Sequence, residues 1–265
     1  MRLLCFSDVH GNVNAVKTML GDVRRRDAVY DAFIFAGDLT NMSSLKKTMK
    51  EKRLREALFG KKPRQTKAFK EYLAERNERY FNESKRTTRR ILALLTQEGR
   101  PVYYIFGNRD RHAGYDLRNV TDLFNSKYAI CLDHVKKVLI GEGIYVTASK
   151  QSVDRHTIFV QHSPGNRGES YKIYKKSLLH VSGHTHQAII YDHYLNTGFL
   201  YRDETRGARP MPGGYFDVII EDGKLVGITF NSLGDLFRSE FEQNGIRGTA
   251  YSTQKQPFPF KLSYV

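Results

Sequence analysis

Five times along this chain a short apolar run stops and a residue able to hold a metal ion follows at once. "MRLLCFSDVHG" delivers Asp8 and His10, "DAFIFAGDL" delivers Asp38, "PVYYIFGN" delivers Asn108, "HTIFVQH" delivers His162, and "SLLHVSGHTH" delivers His184 and His186. The runs are rich in Ile, Val, Leu, Phe and Tyr, as strands buried on both faces should be. Glycine often stands at the exit, where the backbone must turn sharply. Ligands of open α/β sheets gather beyond the carboxyl ends of the strands. The pattern therefore predicts a fold that brings five strand ends to one place.

Between the first two runs, Val13, Val16, Met19, Leu20 and Val23 fall at helical spacing, so the chain opens strand, helix, strand. Later, "KVLIGEGIYVTAS" and "YFDVIIEDGKLVGITF" read as hairpins, the second turning at Asp222 and Gly223, and "AIIYDHYLNTG" reads as one strand with a glycine stop. These elements predict two sheets packed face to face with helices outside. Residues 45–97 interrupt them as a basic helical insertion. It holds one helix in "SLKKTMKEKRLREALFG", a break at "KKPRQ", and a long helix from Thr66 to about Gln97 with Phe69, Leu73, Tyr80, Ile91, Leu94 and Leu95 on its apolar side. Residues 232–265 form a C-terminal extension in which "SLGDLFRSEFEQ" is expected to be helical. The whole chain of 265 residues reads as one domain carrying that insertion.

Composition narrows the partners. Net charge is +15, and residues 46–90 hold 17 Lys and Arg against 6 Asp and Glu, so most of the excess is local. Such a run is ordinarily a solvated helix face, and it also suits a polyanion such as a nucleotide or a nucleic acid. No apolar run approaches the ~20 residues of a membrane span, and the opening "MRLLCF" is too short for a signal-peptide core. The two cysteines, Cys5 and Cys131, read as reduced core thiols. These features together lead to an expected cytoplasmic location.

The seven residues Asp8, His10, Asp38, Asn108, His162, His184 and His186 share a chemistry. Carboxylate and amide oxygens with imidazole nitrogens suit Mn, Fe, Ni, Co or Zn rather than a thiolate-bound structural zinc. Seven ligands with one shared carboxylate give four contacts to each of two divalent ions, with manganese the favoured metal. Two ions ~3.5–4 Å apart hold the oxygens of a phosphoryl group.

The ordered set "DVH", "GD", "GN", "H" and "GHTH" resembles the calcineurin-like metallophosphoesterases, over residues 1–44 and about 98–230. The resemblance implies an α+β fold, a four-layer αββα sandwich of two mixed sheets flanked by helices. It implies that Asp8, His10 and His186 bind one metal ion, that Asn108, His162 and His184 bind the other, and that Asp38 bridges them. It further implies phosphoester hydrolysis by a metal-bridging hydroxide, with a phosphodiester the favoured substrate. "SDVHGN" and the strand ending "NTG" are closest to the small prokaryotic phosphodiesterase branch.

Asn108, Arg109 and His112 are the candidate catalytic residues. Many family members carry a histidine after the motif asparagine; here "GNRD" places Arg109 there. A guanidinium stays protonated and pairs with phosphate oxygens, so Arg109 reads as an electrostatic clamp rather than a general acid. His112 is the candidate replacement acid. Asp110 reads as a partner of Arg109 or a turn residue, and Ser163, Asn166 and Arg167 as pocket lining. Two other functions fit part of the pattern. One is a catalytically poor, metal-containing module that binds nucleic acid through residues 45–97. The other is a hydrolase similar to the nucleotide-sugar pyrophosphatases, in which "GNRD" also occurs.

Overall fold

The computed structural model describes residues 1–40, 45–97, 99–112, 126–163, 175–200, 213–234, 237–243 and 246–252. The first half runs β1 (Arg2–Phe6), α1 (Val13–Arg25), β2 (Ala32–Phe35), α2 (Leu45–Phe59), α3 (Lys67–Thr96), β3 (Val102–Tyr104), α4 (Asn108–His112) and β4 (Ala129–Cys131). Among the described residues, the elements that follow are mainly strands: β5 (Val138–Gly141), β6 (Ile144–Thr147), β7 (Thr157–Val160), β8 (Leu179–Ser182), β9 (Ala188–Tyr191), β10 (Tyr194–Thr197), β11 (Gly214–Glu221), β12 (Lys224–Ser232), β13 (Phe237–Gln243) and β14 (Ile246–Ser252).

The strands form two mixed sheets. The first has the order β12-β11-β1-β2-β3-β4, and the second the order β13-β14-β9-β10-β8-β7-β6-β5. Strands β1 to β4 run parallel, as do β6, β7, β8 and β10. The α+β class expected from the resemblance is the one observed.

Alternation along each central strand explains why the runs are apolar throughout. Leu4 and Phe6 of β1, with Phe33 and Phe35 of β2, face a core shared with α1 and α3. Leu3 and Cys5, with Ala32 and Ile34, face the other way into the core between the sheets. A strand covered on both faces has no solvent side on which to place polar residues. Helix α1 starts where the Asn12 side chain accepts from the Ala15 amide, and it buries Ala15, Val16, Met19, Leu20 and Val23. Helix α3 is capped by Thr66 and buries Phe81, Ile91, Leu92 and Leu95 toward its C-terminal end. Helices α1 and α3 lie on the first sheet and α2 packs against α3; the core clusters of the described residues put no α-helix on the second sheet.

Two expectations are corrected. Residues 237–243 form strand β13 rather than a helix. The segment Phe237, Arg238, Ser239, Glu240, Phe241, Glu242 alternates with period two, and β13 meets β14 with Gln243 opposite Ile246. Asn244 and Gly245, which separate the strands in sequence, are the pair that two-residue hairpins favour most. Likewise "AIIYDHYLNTG" is two strands, β9 and β10, with Tyr191 opposite Tyr194. The turn uses Asp192 at φ +47°, a left-handed position filled without glycine.

Candidate metal centre

The parallel strands β1, β2 and β3, together with β7 and β8, end on one rim, and the loops beyond them interlock through their backbones. The Asp8 amide donates to Gly37 O at 2.9 Å, the His10 amide to Asp38 O at 2.9 Å, and the Gly183 amide to His162 O at 3.0 Å. Asp8, His10, Asp38, His184 and His186 all have positive φ, between +47° and +73°. Non-glycine residues rarely adopt this region, and short polar ones tolerate it best. The chain holds five chemistry-bearing side chains in left-handed backbone so that they point back over the strand ends.

Glycine makes this approach sterically feasible. A Cβ on Gly183 would lie 2.5 Å from Ser7 Oγ and 2.6 Å from Asp8 Oδ2, and one on Gly107 would collide with the Asp38 carboxylate. The "GN" and "GHTH" glycines therefore allow loop backbone to touch the two acids directly.

The side chains converge as two groups. Asp8, His10 and His186 bring ligand atoms within 4.8 Å of one another, and so do Asp8, Asp38 and His162. His10 Nε2 and His186 Nε2 are 3.2 Å apart. Asp8 Oδ1 is buried and faces two imidazoles, 3.5 Å from His10 Nε2 and 3.2 Å from His186 Nε2. The other oxygen of Asp8 accepts from the Ser7 hydroxyl and from the His184 amide at 2.8 Å. Asp38 Oδ2 stands between the groups, 3.7 Å from His10 Nε2 and 3.4 Å from His162 Nε2. Asn108 Oδ1 meets His162 Nε2 at 3.0 Å and His184 Nδ1 at 2.8 Å.

Second contacts orient the rings. His162 Nδ1 donates to Ala36 O at 2.8 Å, which turns Nε2 toward Asp38 and Asn108. Buried carboxylate oxygens and imidazole nitrogens within 4.8 Å of one another are ligand atoms gathered around a place for a cation. The residues present thus fit a metal ion.

The electrostatics agree. Burial would push the Asp8 carboxyl up, but hydrogen bonds from His10 and His186 and the field of His162 hold it well below the usual range. Asp38 is likewise lowered against its burial by His162. Burial pulls His162 down, and the hydrogen bond and charge of Asp38 outweigh it, raising the imidazole to about 9. His184 is lowered by burial and by neighbouring His162. A site that keeps two acids ionised and draws a proton onto an imidazole between them is one that attracts positive charge.

The family model for calcineurin-like phosphoesterases matches residues 1–188. This chain belongs to the calcineurin-like phosphoesterase family. Among solved structures, its fold is similar to YfcE, a phosphoesterase from E. coli, at 14% identity over 86% of this chain and 98% of that one, with a TM-score of 0.43. It is also similar to an archaeal phosphodiesterase, at 14% identity over 88% of this chain and 100% of that one, with a TM-score of 0.42. A further crystal structure reaches a TM-score of 0.53 at 10% identity, over 88% of this chain and 99% of that one, which supports a shared fold. No curated protein matches the chain in sequence. No helix among the described residues of this phosphoesterase-family chain is long and apolar enough to cross a membrane.

All seven sequence-predicted ligands are therefore brought to one rim. Arg109 follows Asn108 in the first turn of α4, and its amide donates to Asp38 Oδ1 at 2.8 Å. His112 is the last residue of α4, and its side chain lies outside what is described, as do Asn166 and Arg167.

Sequence reading missed the part played by Asp110. Its buried carboxylate holds the local turn through the Gly107 amide, as a turn residue should, and also joins that turn to the loop after β2. Oδ2 accepts from the amides of Asp38, Leu39 and Gly107 at 3.0, 3.1 and 2.8 Å, and Oδ1 accepts from the Thr40 amide at 2.8 Å. Burial, with the charge of Asp38, raises Asp110 to about 6 against the pull of those amides. The acid two residues after the asparagine, in "GNRD", was the available signal; its partners some 70 residues upstream, Asp38, Leu39 and Thr40, were not visible.

Proposed function

We propose that this chain is a dinuclear metal-dependent phosphodiesterase. The observation that carries the reading is Asp38 standing between two ligand groups, with Oδ2 within 3.7 Å of His10 Nε2 and 3.4 Å of His162 Nε2. Asp8, His10 and His186 hold one divalent ion; Asn108, His162 and His184 hold the other; Asp38 is shared. Manganese is the favoured metal, with Fe, Ni, Co and Zn as alternatives. Two such ions supply Lewis acidity toward a phosphoryl group and lower the pKa of water.

The chain's own residues do the rest. Asp8 and Asp38 leave a pair of divalent ions with net positive charge, which suits a diester anion. Ala36 O and the Ser7 hydroxyl fix His162 and Asp8, so that little reorganisation remains when the substrate arrives. Arg109 is anchored through its amide to the shared carboxylate, and its guanidinium is assigned to the phosphoryl oxygens. With Arg109 in place of a histidine, departure of the leaving group relies on its own stability or on His112. A nucleotide or nucleic acid diester accords with the net charge of +15.

The test is hydrolysis of bis-p-nitrophenyl phosphate against p-nitrophenyl phosphate by protein stripped of metal and refilled with Mn, Ni, Zn or Mg. The diester should be turned over faster, and only in refilled protein. Asp38→Asn should lower kcat/KM by about a thousandfold or more, the scale of losing several kcal/mol of charge stabilisation. Turnover that survives metal removal or Asp38→Asn would refute the reading.

A further inference from the structure

The basic insertion is not uniform once folded. Residues 45–66, which form α2 and the turn after it, carry nine Lys and Arg against two Glu; α3 carries eight against four. Both carboxylates of the first part are engaged. Glu51 accepts from Arg79 and from the Tyr80 hydroxyl, both on α3, and Glu56 lies 3.9 Å from Lys52. Phe59 is also turned inward, with its ring 5.4 Å from Phe69 and 5.2 Å from Tyr72. Helix α2 thus turns Glu51 and its aromatic residue to α3, sets Glu56 beside its own Lys52, and leaves Lys50, Arg53, Lys61, Lys62 and Arg64 exposed.

We propose that the outer face of α2 and the turn to α3 form a docking surface for the phosphate backbone of a nucleic acid, which delivers a phosphodiester to the metal centre. This rests on the diesterase reading and names its substrate class. Two features favour a polymer. A helix of 15 residues is about 22 Å long, and its cations continue into the turn. A mononucleotide offers one or two contacts, whereas a polynucleotide presents a charge about every 3.4 Å along each strand of a duplex. The second feature is position. Leu45 follows Asp38 by seven residues, so α2 begins at most about 25 Å from the metal centre.

A membrane surface is the poorer fit. Leu54 and Leu58 are exposed, at 51% and 59%, but they stand among lysines and arginines with Phe59 packed away. An interfacial helix needs a continuous apolar face to sink into the acyl boundary.

The experiment is fluorescence anisotropy of a labelled 20-nucleotide single strand with the full-length protein, in a salt series, with strand integrity checked on a denaturing gel. One variant replaces Lys50, Arg53, Lys61, Lys62 and Arg64 with Gln. A second removes the same number of charges elsewhere, at Lys127, Lys136, Lys150, Arg155 and Lys224. Circular dichroism and thermal melts confirm that both fold. The α2 variant should lose at least about tenfold in affinity near 0.1 M salt, with the log–log salt slope falling by about 3, given ~0.7 per ion pair on a single strand. The second variant should keep most of both. Equal losses in the two variants, or no oligonucleotide binding alongside binding to phosphatidylserine vesicles, overturns the proposal. The readout is independent of hydrolysis, so failure of the diesterase reading would show separately, as absent bis-p-nitrophenyl phosphate turnover by the wild-type protein.

Discussion

The rim of the sheets and the α2–α3 hairpin both concentrate charge, and they do so in opposite ways. At the rim, Asp8, Asp38 and Asp110 are buried at 0%, 2% and 0% exposure, and the backbone bends into left-handed geometry to place the ligands. On the hairpin, most of the described charges sit on regular helix and face water, with Glu51 turned toward α3. Buried charge survives only where each group is fixed by partners, so the rim is determined atom by atom. Exposed charge is weakly fixed and screened by salt, so the hairpin is determined only in sign and density. The first arrangement suits chemistry at one point, and the second suits adhesion along a line.

Taking one carboxylate charge from each region separates them. Asp110→Asn at the rim leaves an amide group facing the Thr40 amide, so one of four buried donors loses its acceptor. The expected results are a loss of 10- to 100-fold in kcat/KM, as for groups that orient metal ligands, and a destabilisation of about 1–3 kcal/mol. Steady-state kinetics and chemical denaturation measure both, and wild-type values would dissolve the contrast. Glu51→Gln on the hairpin should cost about 1 kcal/mol or less in a thermal or urea melt, since its partners Arg79 and Tyr80 remain able to hydrogen-bond a neutral amide. A loss as large as that of Asp110→Asn would show that the hairpin is held as tightly as the rim.

The same contrast explains what could be read from sequence. Asp8, His10, Asp38, Asn108, His162, His184 and His186 were legible because each residue type carries its own chemistry and each ends an apolar run. Helices α1 and α3 were legible from the periodicity of their apolar residues. The bridge built by Asp110 was not, because hydrogen bonds to backbone amides about 70 residues upstream leave no mark on the identities of Asp38, Leu39 and Thr40. Strand β13 was misread because Leu236, Phe237 and Phe241 also satisfy helical spacing, and pairing with β14 decides between the two periods. The turn at Asp192 was missed because it reaches positive φ without glycine.

The central claim is that seven side chains on five strand ends hold two ions around Asp38. The most direct test is titration of stripped protein with Mn, counting bound metal by mass spectrometry while following bis-p-nitrophenyl phosphate turnover. The account predicts two ions per chain and activity that rises through the second equivalent. Activity that saturates at one ion per chain, or that is already present in the stripped protein, would contradict it.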